Sequence, residues 1–515
     1  MPKLIDTLQN PALFDHPATA FQVIETHSSW VLLTGPIAYK IKKPVDLGFL
    51  DFSTLEKRHA DCIEEIRLNR RLAETLYLDV IPITGTVEQP RLGGIGTIIE
   101  YAVKMRQFDP KAQLDALLER GELPESVCLQ LAERIARFHV DCPVSPDDRE
   151  YGQAETIRRT VFDNFLHLAE MDVSPNEQAR IDDLHEWTRR QHDALISTFL
   201  ERRADGHVRE CHGDLHLANI ALIDEEPVPF DCLEFNADLR WIDTMSELAF
   251  LIMDLDRRGR PDLARLTLNT YLESGGDYDG ITVFRYYAVY RAMVRAKVAA
   301  IRRAQALSNE ADTTDAKPLT REIEDCLTLA GRYISPPNGR LILTHGLSGS
   351  GKSVISAGLL AEADIIRIRS DVERLRLFPD PVRRYTSEAS RATYERLAEI
   401  AHKTIEAGFS VLIDATFLKQ SQRDRFAVLS KEIACPLVIL DFQAPEALLR
   451  QWIRERATRG DDPSEADEAV LNLQLSTHEP LTVEEQAHSI TVDTSLTVDA
   501  RALAASIFAR PGRKD

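Results

Sequence analysis

The stretch Gly346-Leu-Ser-Gly-Ser-Gly351-Lys352-Ser353 reads G-x-x-x-x-G-K-S. Glycines allow a backbone curl in which successive N–H groups point inward at phosphate oxygens. Gly346, Ser348, Gly349, Ser350 and Gly351 would form that cradle. Lys352 can reach the β- and γ-phosphates, and Ser353 can ligate Mg²⁺. These residue types in this spacing predict a site for a nucleoside triphosphate.

A second set lies upstream. His212-Gly-Asp214 is followed by Asn219 five residues after Asp214, and by Asp231 twelve residues after Asn219. Phosphoryl transfer needs a carboxylate to take the acceptor's proton, hard oxygen ligands for Mg²⁺ and a cation to grip the triphosphate. An H-x-D-x-x-x-x-N loop followed by an Asp on a hairpin supplies the first two. A strand lysine followed by a helix glutamate supplies the third, and Lys40 with Glu65 fits in order and spacing.

These residues need elements to position them. Leu341–Thr344 suits a buried strand, and Val354–Leu360 suits a helix that adds its positive dipole end to the phosphate loop. Ile365–Arg369 reads as a strand ending at Ser370-Asp371, so Asp371 falls at the ligand crevice and can face an acceptor hydroxyl. Asp371 can equally cap the helix that follows. Phe409–Phe417 reads as a strand carrying Asp414, placed to act on Mg²⁺ through water. Arg450, Arg454, Arg456 and Arg459 lie on a predicted helix from Leu448 to Gly460, ahead of Asp461–Ala466. They suit either a lid over phosphates or a solvated face.

In the first half, Val31–Leu33, a Thr34–Pro36 turn and Ile37–Lys42 predict a hairpin. Period two puts Lys40 and Lys42 on one face. Lys42 and Lys43 also read as a solvated strand end. Leu55–Leu76 predicts one helix with Ile63, Ile66, Leu68, Leu72 and Leu76 in the core, and Ala112–His139 predicts another. Asp243 reads as a helix cap, and His216 as a residue that orients its loop. Ser308–Lys317 is a polar, irregular stretch. Ser335-Pro-Pro-Asn-Gly339 is a turn-rich linker. It divides the chain into expected domains 1–335 and 336–515.

The first half resembles the aminoglycoside phosphotransferase and choline kinase superfamily over roughly residues 20–305. That resemblance implies a protein-kinase-like α+β fold with an N-lobe sheet and a helical C-lobe. It implies Asp214 as catalytic base and Asn219 and Asp231 as Mg²⁺ ligands. Lys40, paired with Glu65, would contact the nucleotide phosphates, and Glu100–Met105 would be the hinge that meets adenine. Two features depart from the pattern. The short His27-Ser-Ser29 loop stands where a G-x-G-x-x-G loop is expected, and Cys232 follows Asp231, so there is no D-F-G.

The second half resembles the small P-loop kinases that include polynucleotide 5′-hydroxyl kinase, chloramphenicol phosphotransferase, zeta toxin and gluconate kinase. The likeness covers about residues 340–510 and implies an α/β fold with a parallel sheet. It rests on Gly346–Ser353, Arg369-Ser-Asp371 with Arg374, Asp414-Ala-Thr416, and Arg454-x-Arg456 before Ser464-Glu-Ala466. It implies Asp371 as general base and Arg374 as a substrate-side contact. The tandem resembles a bacterial family of fused aminoglycoside-phosphotransferase-like and ATP-binding kinases.

At 515 residues, more than one domain is expected. A net charge of −20 argues against broad nucleic-acid or anionic-membrane binding, without excluding a local basic groove. Seven scattered cysteines without a C-x-x-C pair predict a reducing compartment. Met1–His16 lacks a charged-then-apolar signal pattern, and no apolar run approaches the ~18 residues of a membrane span. The expectation is a cytoplasmic, ATP- and Mg²⁺-dependent kinase with two nucleotide sites and a small-molecule hydroxyl acceptor. Three alternatives stand beside it: a 5′-hydroxyl polynucleotide kinase, a chain in which only the P-loop half is catalytic while the first half binds substrate or regulates, and an ATP-gated partner-binding switch.

Overall fold

The predicted hairpin forms around Thr34–Pro36, where Gly35 takes a φ of 107°. It joins β2 (Ser29–Leu33) to β3 (Ile37–Lys42) in register Val31↔Lys40. With β1 (Gln22–Glu25), β4 (Tyr77–Gly85), β5 (Pro90–Leu92) and β6 (Ile98–Arg106) they make an antiparallel sheet of order β1-β2-β3-β6-β4-β5. The structure, a computed structural model, describes residues 2–18, 20–46, 48, 50–171, 173–308, 316–336, 339–384, 386–459 and 467–509. By contacts the chain divides into two compact units. One is Met1–Ile157 with Phe199–Asp254, the other Arg158–Thr198 with Leu255–Asp515. The Ser335–Gly339 linker falls inside the second unit. Residues 337 and 338 of it, 309–315 of the polar stretch and 461–466 lie outside the described residues.

In the first unit, helix Leu55–Ala73 starts at Thr54, whose hydroxyl accepts the Lys57 N–H. Its buried stripe runs Cys62, Glu65, Ile66, Asn69, Leu72 and Ala73. Ile63, expected in the core, is 50% exposed, because it lies one residue off that stripe. Cys62, Ile66 and Ala73 pack with Tyr77 and Val103 of the sheet and with Ala221, Ile223 and Val228. The last three come from the hairpin β8 (Ile220–Ile223) and β9 (Glu226–Pro229), which follows β7 (Val208–Glu210) and precedes β10 (Trp241–Asp243). The acidic turn between β8 and β9 is Asp224-Glu225, both at positive φ (51° and 67°), as a two-residue hairpin turn matching strand twist requires. The helix expected over Ala112–His139 is two helices, Leu114–Glu119 and Glu125–Asp141. Gly121 turns left-handed (φ 70°) after the first, and Pro124 is extended just before the second.

In the second unit, β11 (Leu341–His345), β12 (Ile365–Arg369), β13 (Ser410–Asp414), β14 (Leu437–Gln443) and β15 (Ser489–Asp493) pair in parallel, in order β12-β13-β11-β14-β15. β11 and β13 are buried at every residue, which is why each carries an apolar run without polar alternation, Leu341–Leu343 and Val411–Ile413. Helices Pro261–Gly275, Ile281–Ser308 and Ala316–Ile334 belong to the same unit. The chain therefore carries a protein-kinase-like α+β architecture followed by an α/β P-loop fold. All seven cysteines are buried. Among the described residues no helix is long and apolar enough to cross a membrane.

Candidate active sites

The first constellation forms in the first unit. Lys40 Nζ lies 2.9 Å from Glu65 Oε1 and 2.6 Å from Asp231 Oδ1, joining a strand, a helix and the residue just past the β8–β9 hairpin. Lys42 is no solvated strand end. It is fully buried, with Nζ 2.8 Å from Asp61 Oδ2 and 2.8 Å from Glu65 Oε2, and it also pairs with Glu234. Lys43 is the residue that pairs at the rim, with Glu25. Burial alone would raise the Glu65 carboxyl, but the two lysines outweigh it and hold it down to about 2. Burial dominates at Glu234 and pushes its carboxyl up to about 7 against the pull of Lys42. The carboxylates here outnumber the lysines, a balance suited to a divalent cation.

Asp214 and Asn219 sit on the loop that leads into β8. Asn219 Nδ2 donates to both Asp214 O and Asp214 Oδ2, each at 3.0 Å. That sets the amide so that its Oδ1, a hard oxygen, is the atom left to ligate a cation. Asn219 O accepts the Phe230 N–H at 2.9 Å, which ties it to the residue before Asp231. Asp231 takes a left-handed φ of 62°, which Asp tolerates better than most residues. Its N–H donates to Tyr77 Oη at 3.1 Å, and the next N–H, of Cys232, to Asn69 Oδ1 at 2.9 Å. His216 Nε2 faces Asp214 Oδ2 at 3.4 Å, in keeping with a loop-orienting role. Asp243 accepts the Met245 N–H at 2.8 Å, as a cap does, and pairs with Arg202. Glu100–Met105 is not a hinge. These residues lie inside β6, and Glu100 is buried against Arg58, so the chain leaves the sheet only after Arg106.

Glu247 holds this loop from behind, and no local sequence signal marks it. Its Oε1 accepts the His212 N–H at 3.1 Å and its Oε2 the Gly213 N–H at 2.6 Å, while His139 Nε2 lies 3.0 Å from Oε1. His139, Cys211 and Glu247 bring their ligand atoms within 4.8 Å of one another, but both carboxylate oxygens are already taken by the loop. Burial would raise Glu247; the His139 hydrogen bond and charge outweigh it and hold the carboxyl down to about 2, against an ordinary 4.5. Burial lowers His212, keeping it neutral. A carboxyl depressed on folding contributes stability that is fully present above about pH 4.5 and lost as pH falls through about 2. Glu247→Gln should therefore lower stability by about 2–4 kcal/mol near neutral pH. In urea unfolding the gap to wild type should narrow as pH falls toward 3; a gap constant with pH would contradict this account.

The second constellation lies between β11 and the helix Lys352–Glu362. Gly346 has φ 146°, and a Cβ there would meet Phe442 O at 2.7 Å; at Gly349, φ 79°, it would meet Leu449 O at 2.8 Å. Only glycine fits these two close approaches. Lys352 Nζ donates to Gly346 O (2.9 Å), Leu347 O (2.7 Å) and Ser350 Oγ (3.3 Å), spanning the loop. Gln474 braces it from outside, accepting the Ser348 N–H at 2.8 Å and donating to Ser348 Oγ at 2.9 Å. A cleft of about 800 Å³ opens on Ser348–Ser353 together with Asp371, Arg374 and Asp414. That volume suits a nucleotide-sized ligand. Ser353 and Asp414 line it and offer hard oxygens for a cation. Asp371 does not cap its helix. The helix Ser370–Leu377 begins one residue before it and has no side-chain cap, so Asp371 lies in the first turn with its carboxylate on the cleft.

Arg454 is placed elsewhere. Its side chain is 68% exposed and pairs with Glu468 at 2.6 Å; Trp452 and Glu455 of the same helix line the cleft instead. The side chains of Arg456 and Arg459 lie outside the described residues.

The AAA_33 family, described as an AAA domain, matches residues 341–481. The Mycobacterium tuberculosis H37Rv protein titled "Uncharacterized protein Rv2004c" is 32% identical over 418 residues, which cover 78% of this chain and 80% of that protein. A Mycobacterium bovis protein, "Uncharacterized protein Mb2027c", matches to the same extent. Among solved structures, a choline/ethanolamine kinase family protein from Mesorhizobium loti is 12% identical, covering 64% of this chain and 98% of that one, with a TM-score of 0.40. A sugar kinase from Janibacter sp. HTCC2649 is 23% identical, covering 33% of this chain and 94% of that one, with a TM-score of 0.27. A gluconokinase from Sinorhizobium meliloti 1021 is 19% identical, covering 34% and 93%, with a TM-score of 0.26.

Proposed function

The chain belongs to the family of the mycobacterial proteins matched above, and from its two constellations we propose that it is a cytoplasmic kinase with two ATP sites, each moving a γ-phosphoryl group to a hydroxyl of a small molecule. The observation that carries this is that each unit gathers, by itself, a cation for the triphosphate, hard oxygens and a proton-accepting carboxylate.

At the first site, Lys40 grips the phosphates while Glu65 holds its ammonium in place. Asn219 and Asp231 would hold Mg²⁺, which screens the charge of the triphosphate. Asp214 orients the acceptor hydroxyl and takes its proton. At the second site, the N–H groups of Gly349 to Ser353 and the Lys352 ammonium receive the phosphates. Ser353 and Asp414 would hold Mg²⁺. Asp371 takes the acceptor proton, and Arg374, close to it at 3.9 Å, faces the acceptor's side of the cleft. The functional halves are residues 1–335 and 336–515. A net charge of −20 favours a small acceptor over a polynucleotide.

The test is a screen of hydroxyl metabolites and 5′-hydroxyl oligonucleotides with γ-labelled ATP, run in parallel on wild type, Asp214→Ala and Lys352→Ala. Label should reach small molecules, and each variant should lose a different subset. Label on oligonucleotides alone would transfer the function to polynucleotide 5′-ends. ATP binding without label on any acceptor would replace enzymatic transfer by a switch.

A further inference from the structure

Helix Pro261–Gly275 precedes the linker at 335, yet it meets the parallel sheet within one compact unit. β12 is an edge strand of that sheet. Its outer backbone is met by Asn269, and Tyr278 Oη adds a longer bond to Arg367 O at 3.4 Å. Asn269 Nδ2 donates to Ile365 O at 2.9 Å, and the Arg367 N–H donates to Asn269 Oδ1 at 2.8 Å. An amide thus stands in for the missing strand and covers an edge that would otherwise be open.

One helical turn later comes Glu273. Its Oε2 lies 3.0 Å from Arg367 Nη2 and its Oε1 3.2 Å from Arg369 Nη1. The spacing matches: four helical residues advance about 6 Å, and two strand residues about 6.6 Å. Asn269 therefore sets the register, and Glu273 receives two arginines that share one strand face.

Both arginines lead on to the phosphate loop. Arg367 Nη1 donates to Ser353 O at 3.3 Å and to Ser356 Oγ at 3.5 Å. Arg369 Nε lies 3.9 Å from Asp414 Oδ2, the oxygen that also accepts from Ser356 Oγ at 3.3 Å. Arg369 thus stands between two carboxylates, closer to Glu273 than to Asp414. A guanidinium that closed fully on Asp414 would compete with a divalent cation for the same oxygens.

We propose that Glu273, contributed from before the linker, is a positioning residue for the cation site of the P-loop half: it draws Arg369 away from Asp414 and so sets how readily Mg²⁺ binds there. This rests on the reading that the P-loop half binds Mg²⁺ and ATP.

The test uses the full chain. ATP binding is titrated against Mg²⁺ for wild type, Glu273→Gln, Arg369→Gln and the double variant, and the component abolished by Lys352→Ala is analysed. Glu273→Gln should raise the Mg²⁺ needed for half-maximal binding by about tenfold, within the usual range for couplings between sites. At saturating Mg²⁺ its affinity for ATP should return to within about threefold of wild type. Adding Arg369→Gln should abolish the Mg²⁺ shift, because the competing cation is gone. A merely structural Glu273 would weaken binding at all Mg²⁺ concentrations, and the double variant would be no better; that result overturns the proposal. So does an unchanged Mg²⁺ dependence in Glu273→Gln. If wild type has no Lys352-dependent component at all, the P-loop reading has failed first, and this proposal goes with it.

Discussion

Asp214→Asn is expected to lower phosphoryl transfer at the first site by about 10²–10⁴-fold, the usual contribution of a positioned general base. The measurement is ATP turnover in the Lys352→Ala background, so that only the first site contributes. Asn has the shape of Asp but cannot take a proton at neutral pH. The loop should keep its form, because Glu247 holds the His212 and Gly213 N–H groups independently of Asp214. The phosphate grip proposed for Lys40 is likewise separate, since Lys40 is held by Glu65 and Asp231. Affinity for MgATP should therefore change by less than about threefold, as expected when only a transition-state interaction is removed. Loss of affinity as large as the loss of turnover would show that Asp214 holds the loop and not the proton.

Lys352→Ala is expected to weaken nucleotide binding at the P-loop by about 10²-fold. Two charge-assisted contacts to phosphate, at about 1.5 kcal/mol each, give that scale. The loss has a second source. The ammonium now spans Gly346 O, Leu347 O and Ser350 Oγ, so its removal leaves loop carbonyls without their donor. Lys352→Arg should not rescue: the lysine is only 8% exposed, and the larger guanidinium has no room to turn from the loop to the phosphates. The effect should be confined to the later site, leaving Asp214-dependent turnover intact.

The parts of this molecule that were legible in the sequence are those where chemistry is carried by local spacing. The phosphate loop is one such part, because strand, glycines, lysine and helix are contiguous. Asp214, Asn219 and Asp231 are another, because a short hairpin fixes their separation. Lys42 was ambiguous: period two puts it on the same face as Lys40, but burial depends on Asp61, Glu65 and Glu234, and Glu234 is 192 residues away. Glu247 and Glu273 carry no local mark, since their partners come from elements distant in sequence. Arg454 shows the converse limit. A helix with arginines at several angles does not declare which angle faces a cleft, and here Trp452 and Glu455 face it while Arg454 pairs with Glu468. The break at Gly121 and Pro124 was available from composition, yet the apolar period runs through it and conceals it.

The central claim is that one chain holds two magnesium-dependent nucleotide sites. Calorimetric titration of the full chain with ATP and Mg²⁺ tests it most directly. Two nucleotides per chain are predicted for wild type, one for Lys352→Ala and one for Lys40→Ala. A single nucleotide that disappears with Lys352→Ala and ignores Lys40→Ala would contradict the first site, and no uptake in wild type would contradict both.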